Sequence, residues 1–196
     1  MRSRRSAALA IVVVAVALIV FVAACGGGPT TYTSKDYKFQ LTYDTGVLTE
    51  STSLSSAGAA GGTSVFDVGF VNPKGTKSSG EYRDGLVISV YKLNATVTDA
   101  MLPAVKTELE GVLPQLQQAL GTDAKLGSLS AVDINGVKGF SSDATFTLDK
   151  IPFQATLYFL VNGNLEYQVT AQAAVSKWAT MQPVFKTTMD SFKATQ

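Results

Sequence analysis

The clearest pattern along the chain is alternation of apolar and polar residues, broken by two stretches of helical spacing. Phe39, Leu41 and Tyr43 alternate with Lys38, Gln40 and Thr42, the signature of a half-buried strand. Residues 65–71 repeat it, with Phe66, Val68 and Phe70 on one face. Residues 86–93 are nearly continuous in apolar side chains, which predicts a central strand covered on both faces. Thr98 or Asp99 can cap a helix whose apolar positions, Leu102, Val105, Leu109, Val112, Leu113, Leu116 and Leu120, recur every three or four residues. Gly121 ends it. Pro114 removes an intrahelical donor, so a kink or a second helical segment is expected there. The second helical stripe is Trp178, Met181, Phe185, Met189 and Phe192, opened by Ser176 as N-cap.

Between the helices lies a predicted meander. Residues 129–134 run into Asn135-Gly136, a type I′ turn pair. Three alternating strands follow, carrying Phe140 to Leu148, Phe153 to Val161 and Leu165 to Ala173. Register follows from keeping apolar residues on one face. A three-residue loop at 162–164, with Asn164 left-handed, pairs Phe159 with Tyr167. A two-residue Asn162-Gly163 turn sets Glu166 opposite Phe159 and is disfavoured. By the same rule Leu148 meets Phe153, and Phe146 meets Ala155. Residues 49–64 show no period and read as a loop. Asn72-Pro73-Lys74-Gly75 is a turn signal, and the solvated loop after it offers Lys74, Lys77, Tyr82 and Arg83 as a candidate partner contact, Tyr and Arg being frequent in interface hot spots.

The N-terminus changes the picture. Arg2, Arg4 and Arg5 precede an apolar run at 7–24 without an acidic residue, the layout of a secretory signal. The run is slightly shorter than the roughly 20 residues of a typical membrane span. It ends in Val22-Ala23-Ala24-Cys25, which resembles the lipobox of bacterial lipoproteins. That resemblance implies cleavage before Cys25 and acylation of its thiol; two or more acyl chains hold a protein at a membrane where one does not. The expected organisation is a signal peptide at 1–24, lipidated Cys25 with a flexible tether to residue 35, and one domain at 36–196.

Charge and composition then exclude functions. The whole chain carries a formal +1, and loss of three arginines with the signal leaves the mature chain slightly acidic. Nothing favours nucleic acid. The chain has no histidine, which removes Ser-His-Asp triads, His metal sites and imidazole acid–base chemistry. No metal or cofactor is expected. Carboxylates remain as candidate catalysts, but Glu108 and Glu110 diverge on a helix, and Asp143 and Asp149 sit apart on one strand. The Gly-rich stretch 58–62 lacks the Lys of a phosphate loop.

The order of elements, the Tyr37-Lys38-Phe39-Gln40-Leu41-Thr42-Tyr43 strand, the Asn135-Gly136 turn, the turn before Leu165-Glu166-Tyr167 and the closing Phe185 to Ser191-Phe192 helix together resemble the PsbP-like superfamily. With a lipobox ahead, the style is that of LpqN-type actinobacterial lipoproteins. The resemblance implies an α+β fold, an antiparallel sheet flanked by helices in an α/β/α sandwich, and a non-catalytic role. The expected function is a lipid-anchored module on the extracytoplasmic face of the cell membrane that binds an envelope protein or supports envelope assembly. The alternative is a carrier for a lipid or small ligand in a pocket between the sheet and the Pro114 helix. A carboxylate-dependent hydrolase ranks third and requires two acidic groups converging in a cleft.

Overall fold

The structure is a computed structural model describing residues 27–51 and 64–195. The expected signal segment, Cys25 with the lipobox-like residues before it, and most of the 49–64 loop lie outside the described residues. The elements, in order, are β1 (Pro29–Ser34), β2 (Phe39–Asp44), β3 (Thr49–Ser51), β4 (Phe66–Val71), β5 (Lys77–Ser78), β6 (Glu81–Tyr82), β7 (Gly85–Val97), α1 (Leu102–Leu120), β8 (Lys125–Leu126), β9 (Ser130–Ile134), β10 (Val137–Leu148), β11 (Ile151–Ala174), α2 (Val175–Asp190) and β12 (Lys193–Ala194). All strand pairs between them are antiparallel.

The large sheet runs β3-β4-β7-β11-β10-β8, with β9 also on β10. β7 is central, as its apolar run predicts. A small sheet, β1-β2-β12, lies with α2 against one face. α1 lies against the other. The result is the expected α/β/α sandwich, with an added small sheet on the α2 side.

β1 begins within the stretch expected to be tether. Its threonines and Tyr32 pair with β2 from Pro29 opposite Asp44 to Ser34 opposite Phe39. Tyr32 packs edge-on to Phe70 with ring centroids 5.4 Å apart. β-branched and aromatic residues suit a pleated edge, and this outweighed the Gly-rich, tether-like composition just upstream. The chain end is likewise a strand, β12, paired with β2.

Three capping and helix expectations change. A 3₁₀ turn at Asp99–Met101 precedes α1, and Thr98 makes no side-chain cap; Asp99 pairs with Lys138 instead. α1 continues unbroken through Pro114. Pro114 and Glu110 are both exposed, so water can satisfy the carbonyl that the proline leaves without a donor. At α2 the N-cap is Ala174, not Ser176. The cap comes from a distance: buried Asp84 accepts from Ala174 N at 2.9 Å and from Thr76 N at 2.8 Å. A carboxylate at a helix N-terminus is favoured by the helix dipole, and here it also ties the β5–β6 hairpin to α2.

Asn135 and Gly136 both have positive φ, 51° and 85°, the type I′ turn expected there. Asp149 and Lys150, at 48° and 68°, form a second such turn. It pairs Phe146 with Phe153 and Leu148 with Ile151. The expected pairing was two residues out of register. A shift of two keeps every side chain on its face, so the face rule could not detect it.

Candidate functional site

The site follows from how β11 folds back. Its residues 151–161 pair with β10, and residues 163–172 with β7. On a straight strand, at roughly 3.3 Å per residue, Leu157 and Gln172 would stand about 50 Å apart. Instead they line one cavity. The strand therefore reverses between its two arms. Gly163 has φ 63° while Asn162 and Asn164 do not enter the left-handed region, which fits a two-residue turn with Gly at its first central position.

The three-residue loop with left-handed Asn164 is thus corrected. The consequence is a change of face. Phe153, Ala155, Leu157 and Phe159 pack in the α1-side core, whereas Tyr167, Val169, Ala171 and Ala173 pack in the α2-side core. The alternate residues of the second arm, Glu166, Gln168, Thr170 and Gln172, then lie on the α1 side beside Phe159 and Leu157. A polar row runs along the floor beneath α1, in the arrangement that the face rule disfavours.

α1 covers this floor incompletely. Leu116 and Leu120, at its C-terminal end, are buried. Leu102, Val105, Leu109, Val112 and Leu113 are only half-buried. Beneath that half lies a cavity of about 390 Å³, walled by Val105, Leu109, Leu113, Phe159 and Val161, with Leu93, Ala95 and Val97 of β7 along one side. β7 bends there: Gly163 pairs with Val97 but Leu165 pairs with Lys92, so β7 carries extra residues between them. Bulges of this kind re-aim strands beside binding sites. The volume falls in the lower part of the range for small-ligand pockets.

Three polar side chains face the cavity: Glu108 from α1, and Glu166 and Gln168 from the floor. Glu166 Oε1 accepts from Gln168 Nε2 at 3.0 Å. Burial pushes the Glu166 carboxyl above its ordinary range, and that amide hydrogen bond offsets part of the rise. Sequence reasoning missed Glu166. Its signal was present: a lone acid flanked by Leu165 and Tyr167 in a buried strand.

A second, smaller cavity of about 240 Å³ adjoins Leu116 and continues along the same floor to Thr170 and Gln172. Its rim brings together Ser78, Ser79, Arg83 and Asp149. Both serine hydroxyls donate to Asp149 at 2.7 Å. They hold its carboxyl below the ordinary range, with a smaller contribution from the Arg83 charge. Arg83 pairs with Glu81 at 3.1 Å, and its buried Nε has no hydrogen-bond partner.

The four residues marked as a partner contact are thereby divided. The loop that carries them folds partly into the β5–β6 hairpin. Arg83 turns toward the small cavity. Tyr82 is half-buried over Val71 and Val87, with the Lys77 ammonium 4.5 Å from its ring centre. Lys74 and Lys77 are exposed. Cys25, Val22, Ala23 and Ala24 lie outside the described residues. Among the described residues, no three His, Cys, Asp or Glu side chains gather as metal ligands, and no helix is long and apolar enough to cross a membrane.

The sequence matches no protein-family model and no curated protein. Solved structures do resemble the fold. A Bacteroides thetaiotaomicron protein superposes with a TM-score of 0.54 at 14% identity, over 87% of this chain and 49% of its own, so this chain spans about half its length. The cyanobacterial PsbP protein of Synechocystis sp. PCC 6803 gives 0.54 at 16% identity, over 88% of this chain and 98% of its own. LpqN of Mycobacterium tuberculosis, described as involved in cell envelope biogenesis, gives 0.49 at 13% identity, over 87% and 86%. The chain has a PsbP-like fold.

Proposed function

We propose that this chain is a non-catalytic, lipid-anchored binding module of the cell surface, and that it holds a small apolar or amphiphilic ligand beneath α1. The cavity of about 390 Å³ carries the reading. A helix with a full apolar stripe normally buries it; here the N-terminal half of the stripe walls an open space. The sequence supports the location. Residues 1–24 act as a lipoprotein signal, Cys25 takes the lipid, and the domain sits on the extracytoplasmic face of the membrane.

Native mass spectrometry of the chain gently extracted from cells tests the ligand. A bound mass that disappears when Val105→Trp fills the cavity is the expected result. A chain that carries no bound mass under any extraction overturns the reading. Cys25→Ala tests the anchor: loss of both the lipid mass and membrane retention is expected, and unchanged retention contradicts it.

A protein partner is the second reading, favoured by exposed Lys74 and by exposed Lys77 over the Tyr82 ring. The burial of Tyr82 and the Glu81 pairing of Arg83 leave this surface little of the exposed Tyr–Arg character that marks interface hot spots. Carboxylate hydrolysis meets one of its conditions, since Glu108 and Glu166 share a cavity. Among the described lining residues, however, the remaining polar group is Gln168, whose amide already donates to Glu166. Apart from that amide's second N–H, these side chains offer no amide, hydroxyl or cationic donor for a developing oxyanion.

A further inference from the structure

We propose that the cavity beneath α1 selects amphiphiles whose polar end is a cation, with an alkylammonium chain as the type ligand. This rests on the reading of the cavity as a ligand site and adds the charge of what it takes.

The walls suit an alkyl chain. The charges suit its head. Among the described lining residues the charged side chains are Glu108 and Glu166, one from the helix and one from the sheet. The lysines near α1 are committed elsewhere. Lys106 pairs with Glu110 and Lys138 with Asp99. Both of those lysines line the groove on the opposite flank of α1, with Pro103 and Phe140. That groove also carries Asp133, so its lysines are balanced by acids, whereas the charged side chains described in the cavity lining are acids alone.

An anionic head placed in this cavity meets like charge from exposed Glu108, and from half-buried Glu166 whenever that acid is ionised. It would also be a buried charge without a counter-ion, among the costliest things a site can accept. A neutral head meets neither penalty nor reward. An ammonium supplies the counter-charge that the ionised form of Glu166 lacks in the empty cavity, where burial favours the neutral acid. Complementary charge at a recognition site gives specificity in this way.

Three ligands with one chain length separate the possibilities: decylammonium, decanol and decanoate, each below its micelle concentration. They are titrated calorimetrically into the chain from residue 25 onward bearing Cys25→Ser; the described fold lies wholly within residues 27–195. Decylammonium should bind about tenfold or more tighter than decanol, a difference of about 1.4 kcal/mol, with decanoate weakest. In Glu166→Gln the decylammonium-to-decanol ratio should fall to within about threefold, with thermal melting confirming that the variant folds. Decanol or decanoate binding as tightly as decylammonium overturns the charge assignment and leaves the cavity reading standing. So does a preference that survives Glu166→Gln. Absence of binding by all three overturns both.

Discussion

On the α2 side of the sheet, Phe39, Tyr167 and Phe192 are fully buried, and their rings meet at centroid distances of 5.3–5.6 Å. The Tyr167 hydroxyl closes the arrangement by donating to the Tyr37 carbonyl at 2.9 Å. On the α1 side, five of the helix's apolar residues are half-buried over a floor that carries Glu166, Gln168, Thr170 and Gln172. One face is closed by interlocking aromatics, and the other is left partly open by a helix that seals only at Leu116 and Leu120. The same antiparallel sheet packs a closed core on one surface and, on the proposed function, leaves the other open to a ligand.

The largest effect should come from breaking the closed face. Phe39→Ala removes a fully buried ring and should cost about 3–5 kcal/mol in urea unfolding. A matched truncation on the open face, Leu109→Ala, should cost only about 1–2 kcal/mol, because a half-buried side chain beside an existing space loses less. It should weaken ligand binding more than it weakens the fold. Equal costs at the two positions would remove the distinction between the faces.

Glu166 offers a smaller, pH-dependent test. Its carboxyl is raised in the native state, so the folded chain holds more protons than the unfolded one between the ordinary Glu range and the raised value. Stability is fully present below the ordinary value and falls as pH rises through the native one. Glu108 from α1 and Tyr91, opposite on β7, are the titratable groups facing it. Glu166→Gln should flatten the fall, as read from melting temperature across pH 4 to 8 by the same linkage; an unchanged slope would place the titration elsewhere. Asp149 gives the smallest effect and the opposite sign. Its lowered carboxyl contributes stability above the ordinary Asp range and loses it as pH falls. Asp149→Asn should therefore reduce acid sensitivity slightly, and a larger acid sensitivity in the variant would contradict the serine hydrogen bonds.

Much of this was legible in the chain. Period-two runs marked β2, β4, β10 and both arms of β11, a nearly continuous apolar run marked β7, and the two helical stripes marked α1 and α2. The Asn135-Gly136 turn was readable because its chemistry is specific. What failed did so for physical reasons. Asp149-Lys150 carries no glycine, so its left-handed pair was invisible and the register slipped by two. The turn at Gly163 was judged by putting all apolar residues of β11 on one face, yet the arm after it places Glu166 beside Phe159. That rule assumes both faces are to be sealed. It fails where a face stays open, so the misplaced hairpin and the missed Glu166 are one error. Pro29–Ser34 was lost because threonines resemble a linker until β2 is there to pair with them.

On the proposed function the α1 face takes the ligand and the α2 face does not. Two-dimensional NMR of the chain from residue 25 onward, bearing Cys25→Ser and titrated with decylammonium, tests it most directly. Saturable shifts are expected at Val105, Leu109, Glu166 and Gln168, with Phe39, Tyr167 and Phe192 unmoved. Shifts centred on the α2 face, or none at all, would contradict it.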